Sequence, residues 1–449
     1  MTSFLDALQT LLTRHPEVRR LWVAYSGGVD SHALLHLLAQ HRHELTGREL
    51  RAVHVHHGLQ AAADAWVEHC TAVCSQLGVA LTVRYVDARP LPGASPEAVA
   101  RQARYGALRG LLEPGDALLT AHHQDDQAET VLLALLRGAG PAGLAAMPEV
   151  APLGAGLLLR PLLGVRRAAI LDYARRHGLT WVDDPSNASL HLDRNRLRHE
   201  ILPRLRQRWP EAGATLARSA RLCAEAAAAL EELAAADLAG IAGAAPDSLP
   251  IPALLALSAP RRRNLLRHWL KTRGLPPPSE AQLQRLLCDA LESPRDREPL
   301  IHWPGAEVRR YRDRLYASAP LPPHDPGRRW SWSDPRQPLL LPGLGRLCLE
   351  PVVGQGLSVR RLAGRALSVA FRQGGERFRP VGRAHGQELK KLLQEAAIPP
   401  WQRERLPLLW ADGELVWVSG LGPAAGWTAA AGEAGWLAAW QKESPSGNF

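Results

Sequence analysis

Residues 25–35 read YSGGVDSHALL, and this stretch constrains the fold more than any other. The apolar run Leu21 to Ala24 before it suits a buried strand, and the Leu- and Ala-rich stretch Ser31 to Gln40 after it suits a helix. A strand that turns through glycines into a helix aims the N–H groups of Gly27, Gly28 and Val29 at one point, where the positive end of the helix dipole also lies. Such a point accepts an anion, and phosphate fits it.

The kind of phosphate site can be narrowed. The stretch has neither the Gly-Lys-Ser/Thr of a Walker loop nor the third glycine of a dinucleotide fingerprint. It offers the hydroxyls of Ser26 and Ser31 and the carboxylate of Asp30 instead. A carboxylate beside bound phosphates repels them unless a cation intervenes, so Asp30 implies Mg²⁺ bridging it to the phosphates. The hexapeptide resembles the SGGxDS motif of the PP-loop ATP pyrophosphatases, which split ATP into AMP and pyrophosphate.

Up to about residue 210, strand-like segments (LWVAYS, LRAVHVHH, LTVRYVD, ALLTAHH) alternate with helical ones. Alternation of this kind predicts a doubly wound parallel sheet with ligands at the carboxyl ends of its strands. The glycine turn, HVHHGL (54–59) and AHHQDD (121–126) all fall at such ends. From 211 to 320 the pattern becomes helical, and the proline-rich 318–335 reads as a linker. Beyond it, short strands surround the helical GQELKKLLQEA, so 336–449 is expected to be a small α+β domain.

The 449 residues suffice for two or three cores. No run reaches the length of a membrane span and the N-terminus lacks signal-peptide features, so a cytoplasmic protein without a membrane partner is expected. Five scattered cysteines with no CxxC argue against a disulfide framework, a zinc site or an iron–sulfur site. The net charge of +10 is modest, but it is concentrated. Residues 191–209 hold six arginines against Asp193 and Glu200, and 372–405 hold eight Lys/Arg against four Glu, clusters able to neutralise phosphates.

Three further constellations carry chemistry. In HHQDDQAETVLL, Asp125 is placed as a helix N-cap, while Asp126 and Glu129, three apart, share a face toward the nucleotide. That pair is suited either to complementing the helix dipole or to holding Mg²⁺ or a substrate ammonium. His57, with His54 and His56 beside it, is placed to stack on or hydrogen-bond a nucleotide. Arg101 and Arg104 lie three apart on a helix flanking the site, and in DDPSN followed by DRNRLRHEILP, Arg194 and Arg198 lie one turn apart beside Asn195.

Together, YSGGVDS, HVHHGL, EAVARQARY, AHHQDDQAETVLL, LRGAGPAGLAAM, DDPSN with DRNRLRHEILP, and GGERFRP with LKKLLQEAAIPPWQRERLPLL resemble the bacterial tRNA(Ile)-lysidine synthetase family from end to end. The resemblance implies an N-terminal PP-loop domain of adenine nucleotide alpha hydrolase-like fold (1–210), a helical central tRNA-binding domain (211–320) and a C-terminal tRNA-recognition domain (336–449). It implies ATP-dependent ligation of L-lysine to C2 of the wobble cytidine of tRNA(Ile) bearing CAU, through an adenylated intermediate, with AUG reading changed to AUA. On that reading Ser26, Gly27, Gly28, Val29, Ser31 and His57 bind ATP, and Asp30 and Asp126 hold Mg²⁺. Arg104 and Arg194 stabilise charge, and Asp126 and Glu129 hold Mg²⁺ or position lysine. Arg101, Asn195, Arg198, Arg377, Arg379, Arg383, Lys390 and Lys391 touch tRNA. The oligomeric state stays open, a homodimer being one option. A tRNA thiolase of the same superfamily would need a CxxC pair, an amidotransferase-coupled synthetase a glutaminase domain, and an idle tRNA-binding protein a decayed site; none of these is seen.

Overall fold

The computed structural model describes residues 2–45, 47–56, 58, 63–87, 89, 96–241, 247–294 and 297–441. The chain forms two compact units, 1–230 and 231–449.

In the first unit the strands are β1 (Arg20–Ala24), β2 (Glu49–His56), β3 (Ala80–Tyr85), β4 (Asp116–Leu119), β5 (Val150–Leu153) and β6 (Gly156–Leu159). They form one sheet in the order β3-β2-β1-β4-β6-β5, parallel except for the antiparallel edge strand β5. The first four match the sequence expectation; the hairpin β5–β6 has no counterpart in it. The helices are α1 (Thr2–Arg14), α2 (Val29–Gln40), α3 (Ala63–Gln76), α4 (Pro96–Arg109), α5 (Gln124–Leu136), α6 (Pro141–Leu144) and α7 (Arg167–Arg176). Strand alternation decides which helix packs where. Leu21, Val23, Ala52, Ala117 and Leu119 join residues of α1, α2, α3 and α7 on one face. Trp22, Val53, Leu118 and Leu158 meet Leu108 and Leu112 on the other. Both faces are covered, as near-continuous apolar strands require.

After α7, helix α8 (Asp193–Arg196) passes through a π-helical turn, Leu197–Ile201, into α9 (Leu202–Arg208), and α10 (Ala212–Ile241) follows.

The second unit begins with the expected helical middle, α11 (Ile251–Ala256), α12 (Ala259–Thr272) and α13 (Glu280–Arg285). It also carries an antiparallel sheet that helical periodicity did not reveal: β7 (Ser248–Pro250), β10 (Arg314–Ser318), β9 (Ala306–Tyr311) and β8 (Leu300–Trp303), in that spatial order. Leu265, Leu266, Trp269 and Leu270 of α12 pack on Ile301, Val308 and Leu315 of the sheet. Beyond it, a β-rich region has its own core around Leu347, Val369, Leu392, Leu408 and Val416. The linker reading of 318–335 needs correction at its end, because Arg329–Trp332 is a strand paired with Leu367–Ala370. The PWQRER segment (400–405) docks on the middle sheet. Arg403 donates to the Tyr311 hydroxyl at 2.6 Å, and the Trp401 ring meets those of Tyr311 and Tyr316 edge-on.

Gly27 adopts φ +86°, where an L side chain is strained, and a Cβ there would stand 3.3 Å from the Cys70 sulfur. Replacing Gly27 with alanine should therefore cost roughly 1–3 kcal/mol and distort the anion turn. The check is chemical denaturation alongside ATP binding; an unchanged midpoint and affinity would show that the turn does not need glycine.

Candidate active site

The carboxyl ends of the parallel strands bring the site together. After β1 the chain turns through Ser26 and Gly27 to Gly28, the extended N-cap of α2. The turn is locked by hydroxyls: Ser31 Oγ accepts from the Ser26 amide at 3.2 Å, lies 3.0 Å from Ser26 Oγ and donates to the Gly28 carbonyl at 3.0 Å. The amides of Gly27, Gly28 and Val29 thus stand at the first turn of a twelve-residue helix. Beside them a cavity of about 210 Å³ is walled at its apolar part by Ala24, Val53, Val55 and Leu108 and at its polar part by Ser26, Asp30, Ser31, Arg104, Tyr105, Thr120 and His122. An apolar pocket opening onto an anion-accepting turn has the form of a nucleoside-phosphate site.

Asp30 sits at this opening. Its Oδ2 lies 3.7 Å from His123 Nε2 and 3.9 Å from Arg167 Nε, while its Oδ1 is buried without a hydrogen-bond partner among the described residues. A buried, unsatisfied carboxylate oxygen next to a phosphate cradle is the donor a hard cation such as Mg²⁺ takes, so the residue fits that group.

Asp126 is engaged differently. The N-cap of α5 is His123, not Asp125: the His123 side chain accepts from the Asp126 amide, and Asp126 Oδ2 accepts from the His123 amide at 2.9 Å. This capping box forms because His123 holds extended backbone one residue before the helix begins. Asp125, expected as the cap, instead pairs with Arg206 at 2.9 Å. The other oxygen of Asp126 accepts from both Arg194 and Arg198 at 3.1 Å. Glu129, fully buried, accepts from Nε of each arginine at 2.7 Å. Two carboxylates and two guanidiniums therefore close on one another, with both oxygens of Glu129 and Oδ1 of Asp126 engaged by arginines. Burial works against ionisation of Asp126, but His123 and Arg194 hold its carboxyl below the usual range.

The cationic wall is less well compensated. Arg101 and Arg104 lie against the Tyr105 ring, at 4.9 and 5.6 Å from its centroid. Burial, followed by Arg101 and Arg194, makes the charge of Arg104 more costly and lowers its pKa. Arg160, which follows β6, is buried; it donates to the Pro148 carbonyl, and its Nε has no partner among the described residues. Two neighbouring histidines part company here. Burial, then Arg160, Arg194 and Arg104, outweigh Asp126 and push His122 down to about 4. For His123 burial also lowers the value, but the hydrogen bond and charge of Asp30 and the charge of Asp126 raise it above the ordinary one.

Some expected residues lie elsewhere. His57 falls outside the described residues. His54 does not face the nucleotide: it is buried, with Nδ1 2.9 Å from the Tyr25 carbonyl and 3.4 Å from the Cys70 sulfur. Asn195, expected at tRNA, is buried and donates to the Ser189 carbonyl at 2.9 Å, shaping the turn before α8. Arg377, Arg379, Lys390 and Lys391 are exposed, whereas Arg383 is exposed but paired with Glu395 at 2.6 Å. Sequence reasoning missed Tyr105, His122, His123, Arg160 and Arg167. Arg160 had a signal, since RPLL follows an apolar run and places the arginine at a strand's carboxyl end.

Among the described residues no helix is long and apolar enough to cross a membrane. Family models match in three places: the PP-loop domain over 2–205, the TilS substrate binding domain over 249–316 and the TilS substrate C-terminal domain over 367–440. The chain is 47% identical to a tRNA(Ile)-lysidine synthase of Methylococcus capsulatus over 399 residues, covering 89% of this chain and 90% of that one. It is 48% identical to one from Alkalilimnicola ehrlichii, covering 91% of each, and 43% identical to one from Coxiella burnetii, covering 92% and 91%.

Glu129→Gln should break a salt-bridge network at its fully buried member, leave the two half-buried guanidiniums without their full countercharge, and cost roughly 3–5 kcal/mol. Urea unfolding of the full chain measures it; a loss below about 1 kcal/mol would show that the cluster behaves like a surface ion pair.

Proposed function

The chain belongs to the tRNA(Ile)-lysidine synthase family, and from that premise we propose how its site makes lysidine on tRNA(Ile). It is a ligase that binds ATP through its PP-loop domain. The wobble cytidine of a CAU anticodon enters the strand edge, and its C2 oxygen attacks the α-phosphorus of ATP. The bond from that phosphorus to the β,γ-bridged leaving group breaks, and its electron pair departs with pyrophosphate. The lysine ε-ammonium then loses one proton to solvent, the free amine attacks C2 of the adenylated base, the C2–O bond breaks with its electron pair leaving on AMP, and the new C–N nitrogen gives a second proton to solvent. A codon reader of AUG becomes a reader of AUA.

The observation that carries this reading is the unsatisfied Oδ1 of Asp30 at the hydroxyl-locked turn, beside an apolar-walled cavity. Adenosine fits the part walled by Val53, Val55 and Leu108, and the phosphates lie over the amides of Gly27, Gly28 and Val29 with the Ser26 and Ser31 hydroxyls alongside. Asp30 holds Mg²⁺, which when bound supplies countercharge to the phosphates. Arg104 faces the charge that develops on phosphorus. Asp126 and Glu129 aim Arg194 and Arg198 at the incoming nucleotide, and the lysine ammonium binds the acids by displacing a guanidinium. The exposed Arg377, Arg379, Lys390 and Lys391 contact tRNA phosphates away from the anticodon, where discrimination against methionine tRNA must arise. A thousandfold preference needs roughly 4 kcal/mol of such contacts.

Labelled lysine, ATP and Mg²⁺ incubated with tRNA(Ile) bearing CAU should yield labelled tRNA. A substrate with uridine at the wobble position should yield none, and Asp30→Ala should abolish labelling; label entering both tRNAs or neither would falsify the assignment. Reversing the charge of Arg377, Arg379, Lys390 and Lys391 together should weaken tRNA binding and flatten its salt dependence by about one unit of slope for each phosphate no longer neutralised, while the ATP affinity stays as it was. Filter binding over a salt series decides, and an unaltered slope refutes a role for these four side chains at tRNA.

A further inference from the structure

Arg167 opens α7 and faces Asp30 from across the glycine turn. Its Nε is 3.9 Å from Asp30 Oδ2, too far for a hydrogen bond, and that nitrogen is itself buried with no partner among the described residues. Asp30 Oδ1 is buried and unpartnered as well. An arginine and a carboxylate that served only each other would close to about 2.8 Å. Here they stand apart, and each leaves one atom unsatisfied.

That arrangement suits a ligand offering acceptor oxygens to the guanidinium and a cation to the carboxylate, which describes a metal-chelated polyphosphate. Its direction follows from the cavity. The apolar part that fits adenosine lies among Ala24, Val53, Val55 and Leu108, and Ser26, Ser31 and Asp30 line the cavity, but Arg167 does not. A chain of phosphates leaving the cavity past Asp30 therefore reaches Arg167 with its β and γ groups. The neighbouring Arg166 pairs with Glu211, so the two adjacent arginines divide between surface and site.

We propose that Arg167 is a further catalytic residue, whose guanidinium binds the pyrophosphate of ATP and takes up the negative charge that gathers on it as the bond to the α-phosphorus breaks. The proposal rests on the ATP-cleavage reading above. No proton is transferred: the electron pair of the breaking bond ends on the pyrophosphate oxygen, and Arg167 donates an N–H to it throughout.

The test is a set of equilibrium affinities, measured by calorimetry with pyrophosphate, ATP and AMP as separate probes in the presence of Mg²⁺. Arg167→Gln should weaken pyrophosphate and ATP roughly tenfold, the loss of one charge-assisted hydrogen bond, and leave AMP unchanged. AMP binding also reports that the variant is folded. Arg166→Gln should alter none of the three. Should Arg167→Gln bind pyrophosphate as the unaltered chain does, or lose AMP as much as ATP, Arg167 has no such role. Should the unaltered chain bind neither ATP nor pyrophosphate, the functional reading itself fails.

Discussion

The catalytic edge depends on a closed set of four charges. Asp126 and Glu129 on α5 meet Arg194 and Arg198 from the helix that runs through the π turn, joining positions 65 to 72 residues apart. Glu129 has no exposed surface, and taking its charge out of water is expensive. Attraction offsets that cost only when the geometry is good and the lone pairs are used. Both conditions hold: each Nε donates at 2.7 Å, and a third bond of 3.0 Å runs from Arg198 to Glu129 Oε2. The pairing fixes the DRNRLRHE segment against α5, and both guanidiniums keep similar, partly exposed side chains. The π turn begins immediately after Arg196, within this contact, and such turns often mark sites where function sets the backbone.

At this same edge, outside that cluster, charged groups of both signs keep buried polar atoms without a hydrogen-bond partner among the described residues. Among the described residues, Asp30 Oδ1 lacks a donor, and Nε of Arg160 and of Arg167 lack acceptors. Buried polar atoms are normally satisfied, so three orphans around one turn and its strand edge describe a surface completed by its ligands. A substrate carrying both a metal ion and phosphates answers both signs at once. The closed cluster and the open one thus differ in kind: the first is satisfied within the protein, and the second holds polar atoms that the protein leaves without partners among the described residues.

What the sequence disclosed follows from how local each feature is. The turn at 25–31 was legible because its strand, glycines and helix are consecutive, and its hydroxyls bond within five residues. Strands β1 to β4 were legible from apolar runs and turns alone. The meeting of Glu129 with Arg198 was not, since no spacing rule links residues 69 apart. The sequence placed both groups at the site, the acids to complement the helix dipole or hold Mg²⁺ or lysine and the arginines to meet phosphate, base or tRNA, but it carried no local signal that the four side chains also pair with one another. His54 shows the opposite failure: it lies on a strand ending at the site, yet its ring turns to the Tyr25 carbonyl and Cys70 in the core. The middle sheet was obscured because its short strands are separated from β7 by a run of helices, so that local periodicity favoured helix throughout.

His122 and His123 show how finely this edge is divided. They are adjacent in sequence, His123 buried and His122 half-buried, and burial penalises a charge on either ring. The difference comes from what each faces. His123 looks to Asp30 and Asp126 and is held above its ordinary value, whereas at His122 burial comes first, Asp126 is opposed by Arg160, Arg194 and Arg104, and the ring is held at about 4. Extended backbone at His123 turns successive side chains to opposite sides, which lets one dipeptide meet the Asp30 side and the arginine side of the same edge. At neutral pH the His122 ring is therefore uncharged, and it adds no further positive charge to a wall that already carries three guanidiniums. Burial is the first cause of that neutrality and the three arginines only the later ones, so an anion that settles among them offsets the smaller part of what holds His122 down.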